Sequence, residues 1–228
     1  MSLRLLDLFC CRGCASVGYH RAGFDVVGVD IDPDCEAFYP FDFRLGDALE
    51  IVADHADEFD AIHASPPCQA STTMSNRWRG KGGKADEWVN LIPETREALI
   101  ATGLPYVIEN VPGARRSMRD TVTLHGGMFG LGVARPRLFE ANFEIAATRS
   151  PAVQNPLGVY GALDGRRLFT RVDGSEQRAA SSVEQAAEAM GVDWPIDWTG
   201  LREAIPPAYS QHIGAQLLAH LAESEAAA

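Results

Sequence analysis

Short apolar runs alternate with helical stretches through the first half of the chain, and this alternation narrows the fold more than any other feature. Leu3–Phe9, Val26–Asp30, Phe59–Ala64 and Tyr106–Asn110 read as strands buried on both faces. Between them, Ala15–Arg21, Ala48–Asp54 and Glu87–Ala101 read as helices. Strand and helix in alternation predict an α/β fold, with a twisted, mostly parallel sheet covered by helices on both faces. Further on, Ser182–Met190 and Pro206–Leu221 read as helices, the second with prolines in its first turn. The alanine-rich tail from Glu223 is expected to fray. The Gly- and Pro-bearing stretch over about 146–181 reads as a small insertion without a core of its own. At 228 residues the chain fits one domain with a small appendage. The expected division is 1–143, an insertion over 144–181, and C-terminal helices over 182–228 that return to the sheet beside its first strand.

The net charge of −11 argues against a nucleic-acid partner, but its distribution argues for one. Segments 72–84, 112–140 and 149–178 together carry 14 of the 20 basic residues and only 5 of the 31 acidic ones. An acidic body with three basic segments has the directional field that steers a polyanion. No run approaches the roughly 18 apolar residues of a membrane span. No cationic region and apolar signal core precede the first strand, so a cytoplasmic location is expected. Five cysteines, three of them crowded at Cys10, Cys11 and Cys14, suit a reducing compartment. Cys11 and Cys14 form a C-x-x-C, but no second pair stands at zinc-site spacing, so no metal is expected.

In a parallel sheet, ligands sit at the carboxyl ends of the strands, so the residues after each strand carry the chemistry. The first strand ends in Asp7-Leu8-Phe9 and enters a turn with Gly13, where backbone N–H groups and a helix start are open to a ligand. Asp30 and Asp32 close the second strand, where a carboxylate can meet ribose hydroxyls. Asp47 follows the third strand and can meet an adenine amine; all three aspartates are equally able to act as turn formers and caps. The fourth strand runs into Ser65-Pro66-Pro67-Cys68-Gln69, a proline-stiffened turn that presents a thiol, with basic residues beyond it able to favour a thiolate. Glu109, at the end of the fifth strand, faces the same crevice as a carboxyl that can be held protonated. Arg135 and Arg137, on alternate positions of a later strand, are expected to point into the same space.

Taken in order, Asp7-Leu8-Phe9 with Gly13, Ser65-Pro66-Pro67-Cys68-Gln69, Glu109-Asn110-Val111, Arg135-Pro136-Arg137 and Pro206-Pro207-Ala208-Tyr209 with Ile213-Gly214 resemble the cytosine-C5 DNA methyltransferase family. The match runs from residue 3 to about 143 and again from about 182 to 221, and the chain looks like the short single-chain members familiar from phage genomes. The resemblance implies a class I S-adenosylmethionine-dependent methyltransferase fold, Rossmann-like, with 144–181 as a small target-recognition insertion. It implies that Cys68 adds to carbon 6 of a flipped cytosine, that Glu109 binds the ring at N3 and the exocyclic amine, and that Arg135 and Arg137 hold the base. On the cofactor side it implies Phe9 on the adenine, Asp30 on the ribose, Asp47 on the adenine amine, and Pro66 alongside. The Gly13 turn and the Tyr209–Ser210 region are implied to hold the methionine part. DNA is implied to lie against basic loops 72–84, 112–119 and 149–178, with 71–84 closing over it; no obligate protein partner is evident.

Three features depart from the family pattern. Cys11 and Cys14 stand where its first motif has glycine, crowding a close-approach turn and leaving open a modified cofactor. The recognition insertion is short, and the body is unusually acidic. Two alternatives therefore stand beside DNA methylation: the same chemistry on RNA or a free cytosine nucleotide, and a catalytically silent DNA-binding relative.

Overall fold

A computed structural model describes residues 2–68, 89–170, 174 and 176–227 of the chain. Strands β1 (Arg4–Leu8), β2 (Asp25–Asp30), β3 (Asp42–Leu45), β4 (Ala61–Ala64) and β5 (Tyr106–Asn110) run parallel. Strand β6 (Val122–Leu124) forms one edge, and antiparallel β7 (Arg137–Ala141) lies between it and β5. The order across the sheet is β3-β2-β1-β4-β5-β7-β6. Helices α1 (Cys14–Ala22), α2 (Ala48–His55) and α3 (Ile92–Thr102) connect the parallel strands, and α4 (Val183–Met190), α5 (Trp198–Glu203) and α6 (Pro207–Ala227) complete the chain.

Alternate side chains of each central strand go to opposite faces. Leu6, Leu8, Val27, Val29, Ile62 and Ile108 pack with residues of α2 and α3 into one apolar layer. Leu5, Val26, Ala61, Val107 and Phe139 face the other way and meet Tyr19 of α1 with Tyr209, Ile213 and Leu217 of α6. The two helices of that layer approach closely because Gly18 has no side chain: a Cβ there would stand 2.0 Å from Ser210 Oγ and 2.2 Å from the Pro207 carbonyl oxygen. On the first face, Arg96 of α3 hydrogen-bonds both carboxylate oxygens of Glu140 on β7, and both residues are buried. A buried, bidentate pair of this kind fixes geometry as well as charge.

Four differences from the sequence reading have physical causes. Helix α3 starts at Ile92, with Pro93 in its first turn, rather than at Glu87; residues 87 and 88 lie outside the described residues. The alanine-rich tail is helical to Ala227, as expected of strong helix formers such as Ala and Glu. The insertion forms a second sheet, β8 (Leu157–Gly158), β9 (Arg167–Thr170) and β10 (Glu176–Ala179), with β10 central, parallel to β8 and antiparallel to β9. Its Val159 and Ala180 share a core with Ala186, Met190, Val192 and Leu201, so the insertion borrows its hydrophobic layer from the C-terminal helices. Lastly, the strand after Pro136 begins at Arg137, so Arg135 and Arg137 do not occupy alternate positions of one strand. Arg135 precedes it in the left-handed region at φ 33°.

Candidate active site

The end of β4 is built by backbone pairing and one buried amide. The Ser65 N–H still bonds the Leu8 carbonyl at 3.1 Å, and the chain then turns through Pro66, Pro67 and Cys68. Asn110, buried at the end of β5, donates from Nδ2 to the Pro66 carbonyl at 2.8 Å, so β5 holds the turn that presents Cys68. Burial pushes the Cys68 thiol above its ordinary range and the Glu109 charge adds to this; Arg137 pulls the other way without reversing the shift. Arg137 thus acts in the direction expected of a nearby arginine, but burial outweighs it in the free protein. Gln69 and the basic stretch 71–84 lie outside the described residues.

Glu109 is buried on the α1 and α6 side of the sheet. Its Oε1 lies 3.0 Å from Arg137 Nε, close enough for an ion pair but without hydrogen-bond alignment. Burial raises the Glu109 carboxyl above its ordinary range, opposed by Arg137, by a Ser65 hydrogen bond and by Arg135. Arg135 also reaches the cleft, but its guanidinium is committed to backbone: it donates to the carbonyls of Val159 at 2.9 Å, Leu201 at 3.2 Å, Arg202 at 2.6 Å and Ala204 at 2.7 Å. Burial lowers it to about 9, so it remains a cation at neutral pH.

The other end of the cleft is the turn after β1. Phe9, Cys11 and Gly13 take left-handed conformations at φ 59°, 48° and 77°. A non-glycine residue held there costs of order 1–3 kcal/mol, and such strain gathers at ligand sites. Asp30 supports the turn, accepting from the Cys11 N–H at 2.9 Å and from the Asp32 N–H at 3.0 Å. Asp47 caps α2, accepting from the Leu49 and Glu50 amides at 2.8 and 3.2 Å. Both carboxylates keep spare lone pairs, so these structural bonds leave acceptors open toward the cleft. Cys11 Sγ points to Glu203 Oε2 at 3.6 Å, and Cys14 is buried as the first residue of α1. All five cysteines are free.

One cleft of about 880 Å³ brings together Phe9, Asp30, Asp47, Pro66, Cys68, Glu109, Arg135 and Arg137. Gly13 does not line it; a Cβ there would meet Pro40 and Tyr39. Tyr209 and Ser210 are also elsewhere. Tyr209 is buried against Phe129 and Phe139 and donates to the Arg135 carbonyl at 3.0 Å, while Ser210 donates to Pro207 within α6. These two residues do not line the cleft, whereas Cys10, Cys11 and Arg12 of the Gly13 turn line the small cavity beside it. The cleft adds residues the sequence reading passed over: Ile31, Ser65, Glu203, Tyr160 and Gln177. Ile31 had a legible signal, a lone apolar residue between two aspartates, and it is 72% exposed at the cleft. Asp7 lines a smaller adjoining cavity of about 50 Å³ with Phe9, Cys11 and Glu203. One of its carboxylate oxygens, Oδ1, is buried with no partner among the described residues.

A seven-stranded sheet in this order, with its seventh strand reversed and a cleft at the carboxyl ends, defines the S-adenosylmethionine-dependent methyltransferase fold. The family model for C-5 cytosine-specific DNA methylases matches residues 3–125, and the chain belongs to that family. It is a DNA cytosine methyltransferase. Among solved structures it is similar to a DNA modification methyltransferase encoded within an E. coli prophage, at 15% identity and TM-score 0.62, covering 97% of this chain and 100% of that one. The Dnmt2 methyltransferase of S. pombe is similar at 16% identity and TM-score 0.60, covering 96% and 99%. EhMeth of Entamoeba histolytica follows at 13% and 0.58, covering 98% and 99%. At these identities the structures speak for the fold alone. No curated protein sequence matches the chain.

The family implies S-adenosylmethionine as methyl donor, and the residues present fit it. Phe9 and the exposed Ile31 offer apolar faces to an adenine, with Asp30 and Asp47 beside them. The unpartnered Asp7 oxygen and the Glu203 carboxylate give the adjoining cavity acceptors that suit an ammonium or a sulfonium.

Proposed function

We propose that the chain transfers a methyl group to carbon 5 of a cytosine in DNA through a covalent bond between Cys68 and carbon 6. The observation that carries this is the convergence of Cys68, Glu109 and Arg137 on one end of a cleft whose other end is lined by Phe9, Asp30 and Asp47. Bound S-adenosylmethionine supplies an electrophilic methyl group. The Cys68 sulfur adds to carbon 6 of the flipped base, while protonated Glu109 donates to N3 and accepts from the exocyclic amine, so the electron pair driven into the ring becomes available at carbon 5. After transfer, loss of the carbon 5 proton restores the ring double bond and expels Cys68.

The charges of the pair are coupled. An ionised Glu109 raises the Cys68 thiol, so a proton on Glu109 both equips it to donate at N3 and lifts the repulsion on a Cys68 thiolate. Arg137 acts in the same direction on Cys68 and helps hold the base; Arg135 holds the walls of the cleft. Segment 1–143 is assigned catalysis and cofactor binding, 144–181 target recognition, and 182–228 closure of the cofactor end. DNA is assigned to loops 72–84, 112–119 and 149–178. The acidic pairing of Arg166 with Asp164, and of Arg167 and Arg178 with Glu176, moderates that last surface. No helix among the described residues is long and apolar enough to cross a membrane.

Bisulfite sequencing of DNA from cells expressing the wild type or Cys68→Ala tests the proposal. Cytosine protection is expected only with the wild type, and equal background in both overturns it. Labelled cofactor offered with duplex DNA, tRNA and dCMP side by side should label the duplex. Label on tRNA or dCMP alone transfers the chemistry to that substrate.

A further inference from the structure

Behind Glu109 a chain of buried polar side chains runs into the sheet. Ser65 lines the same small cavity as Glu109, and its hydroxyl is among the groups that oppose the upward shift of the Glu109 carboxyl. His63 Nε2 lies 2.9 Å from Ser65 Oγ, and His63 Nδ1 lies 2.9 Å from the Tyr19 hydroxyl. His63 and Tyr19 are both 0% exposed, and the two rings sit 5.1 Å apart. A histidine in the middle of a central parallel strand is costly unless both ring nitrogens are satisfied, and here they are. We propose that Tyr19, His63 and Ser65 form a positioning relay for Glu109, which orients its carboxyl toward the substrate base and supplies it with one directed hydrogen bond. The inference rests on the role given to Glu109 above.

The direction of the chain follows from its far end. The Tyr19 phenol has one acceptor among the described residues, His63 Nδ1, and burial keeps the phenol protonated. An imidazole that accepts at Nδ1 carries its proton on Nε2, because burial lowers the His63 pKa to about 3 and keeps the ring neutral. Nε2–H then donates to Ser65 Oγ, and the remaining Ser65 proton is left for Glu109. The opposite direction would strand the phenolic proton. His63 therefore moves no proton; it hands on a fixed dipole. Around Glu109 the other charged or titratable groups are Arg137 and Arg135 beside β7, Cys68 on the proline turn, Asp7 on β1, Tyr19 on α1 and Tyr209 on α6. Among them the Ser65 donor is the one uncharged contribution that favours the carboxylate, so its removal should raise the Glu109 carboxyl further.

The test uses the full chain as wild type, Ser65→Ala, Ser65→Thr, His63→Leu and Glu109→Gln. Nitrogen-15 imidazole spectra should show His63 as the neutral Nε2–H tautomer across roughly pH 5–8. Carbon-13 titration of Glu109 should move to higher pH in Ser65→Ala and His63→Leu and return in Ser65→Thr. In the same variants the carboxyl is more readily protonated but no longer held facing the base, so kcat should fall about ten- to a hundredfold through lost orientation, with KM for DNA and cofactor unchanged. An Nδ1–H tautomer, or a Glu109 titration unmoved in Ser65→Ala, overturns the relay. Should His63→Leu fail to fold, Ser65→Ala decides alone. Wild-type activity in Glu109→Gln would instead remove the catalytic role of Glu109, while the tautomer and titration would still report on the chain behind it.

Discussion

The two faces of the main sheet use the same strands differently. Against α2 and α3, the strands present leucine, valine and isoleucine almost to their carboxyl ends. Against α1 and α6, the same strands become polar as they approach the cleft. Asp7, His63 and Glu109 occupy the penultimate position of β1, β4 and β5, and Asp7 and His63 are register neighbours. Each is buried and each is shifted toward its uncharged form by that burial. One face therefore supplies stability through apolar area, and the other carries buried polar groups that cost stability and are held by specific partners. The difference teaches that Asp7, His63 and Glu109 are set into one layer of the core, while the buried polar groups of the other layer, the Arg96–Glu140 pair and Asn110, hold structure around the site.

The largest effect expected from testing that contrast is on the polar face. Glu109→Gln should lower methyl transfer about 10²- to 10⁴-fold, measured under single turnover, while leaving the denaturation midpoint unchanged or raised. On the apolar face Leu99→Ala should do the reverse, costing about 2–5 kcal/mol in urea unfolding with kcat per folded molecule unchanged. Loss of kcat in the folded Leu99→Ala protein would break the contrast.

The smallest effect is a cancellation. The Asp7 carboxyl is raised from 3.8 to about 7, so between those values the folded chain keeps a proton the unfolded chain has released, and stability from Asp7 falls as pH rises. His63 is lowered from 6.5 to about 3, so in nearly the same window the folded chain lacks a proton the unfolded chain holds, and stability from His63 falls as pH drops. The two slopes oppose each other. Asp7→Asn should expose the His63 slope, with a urea midpoint that falls on acidification through this window more steeply than in the wild type. Parallel curves for the two proteins would show that Asp7 and His63 do not titrate as their burial implies.

The parallel strands were legible because burial on both faces leaves an unbroken apolar run, and the strand ends were legible because ligands must sit there. Cys68 and Glu109 followed from that placement. The place of Arg135 at the cleft was legible too, but its hold on backbone carbonyls was not, since no pattern of side chains reveals such partners. Tyr209 and Ser210 were read as cofactor contacts, yet the small residues around them serve close packing: a Cβ at Gly214 would stand 2.8 Å from Ala22 Cβ. The second sheet escaped notice because β8 has only two residues, too few to display a period. His63 lies inside an apolar run, and only the spatial nearness of Tyr19 and Ser65 gives it meaning.

The carbonyl-bound Arg135 has a consequence for how such an enzyme changes its target. A guanidinium that grips main-chain oxygens from Val159 and from 201–204 is indifferent to which side chains those residues carry. The small sheet proposed to read the target can therefore vary in sequence outside the packed Val159 and Ala180 and keep its backbone hold on Arg135 beside the cleft. If that sheet reads the target as proposed, its side chains can change while the seat beneath them stays the same.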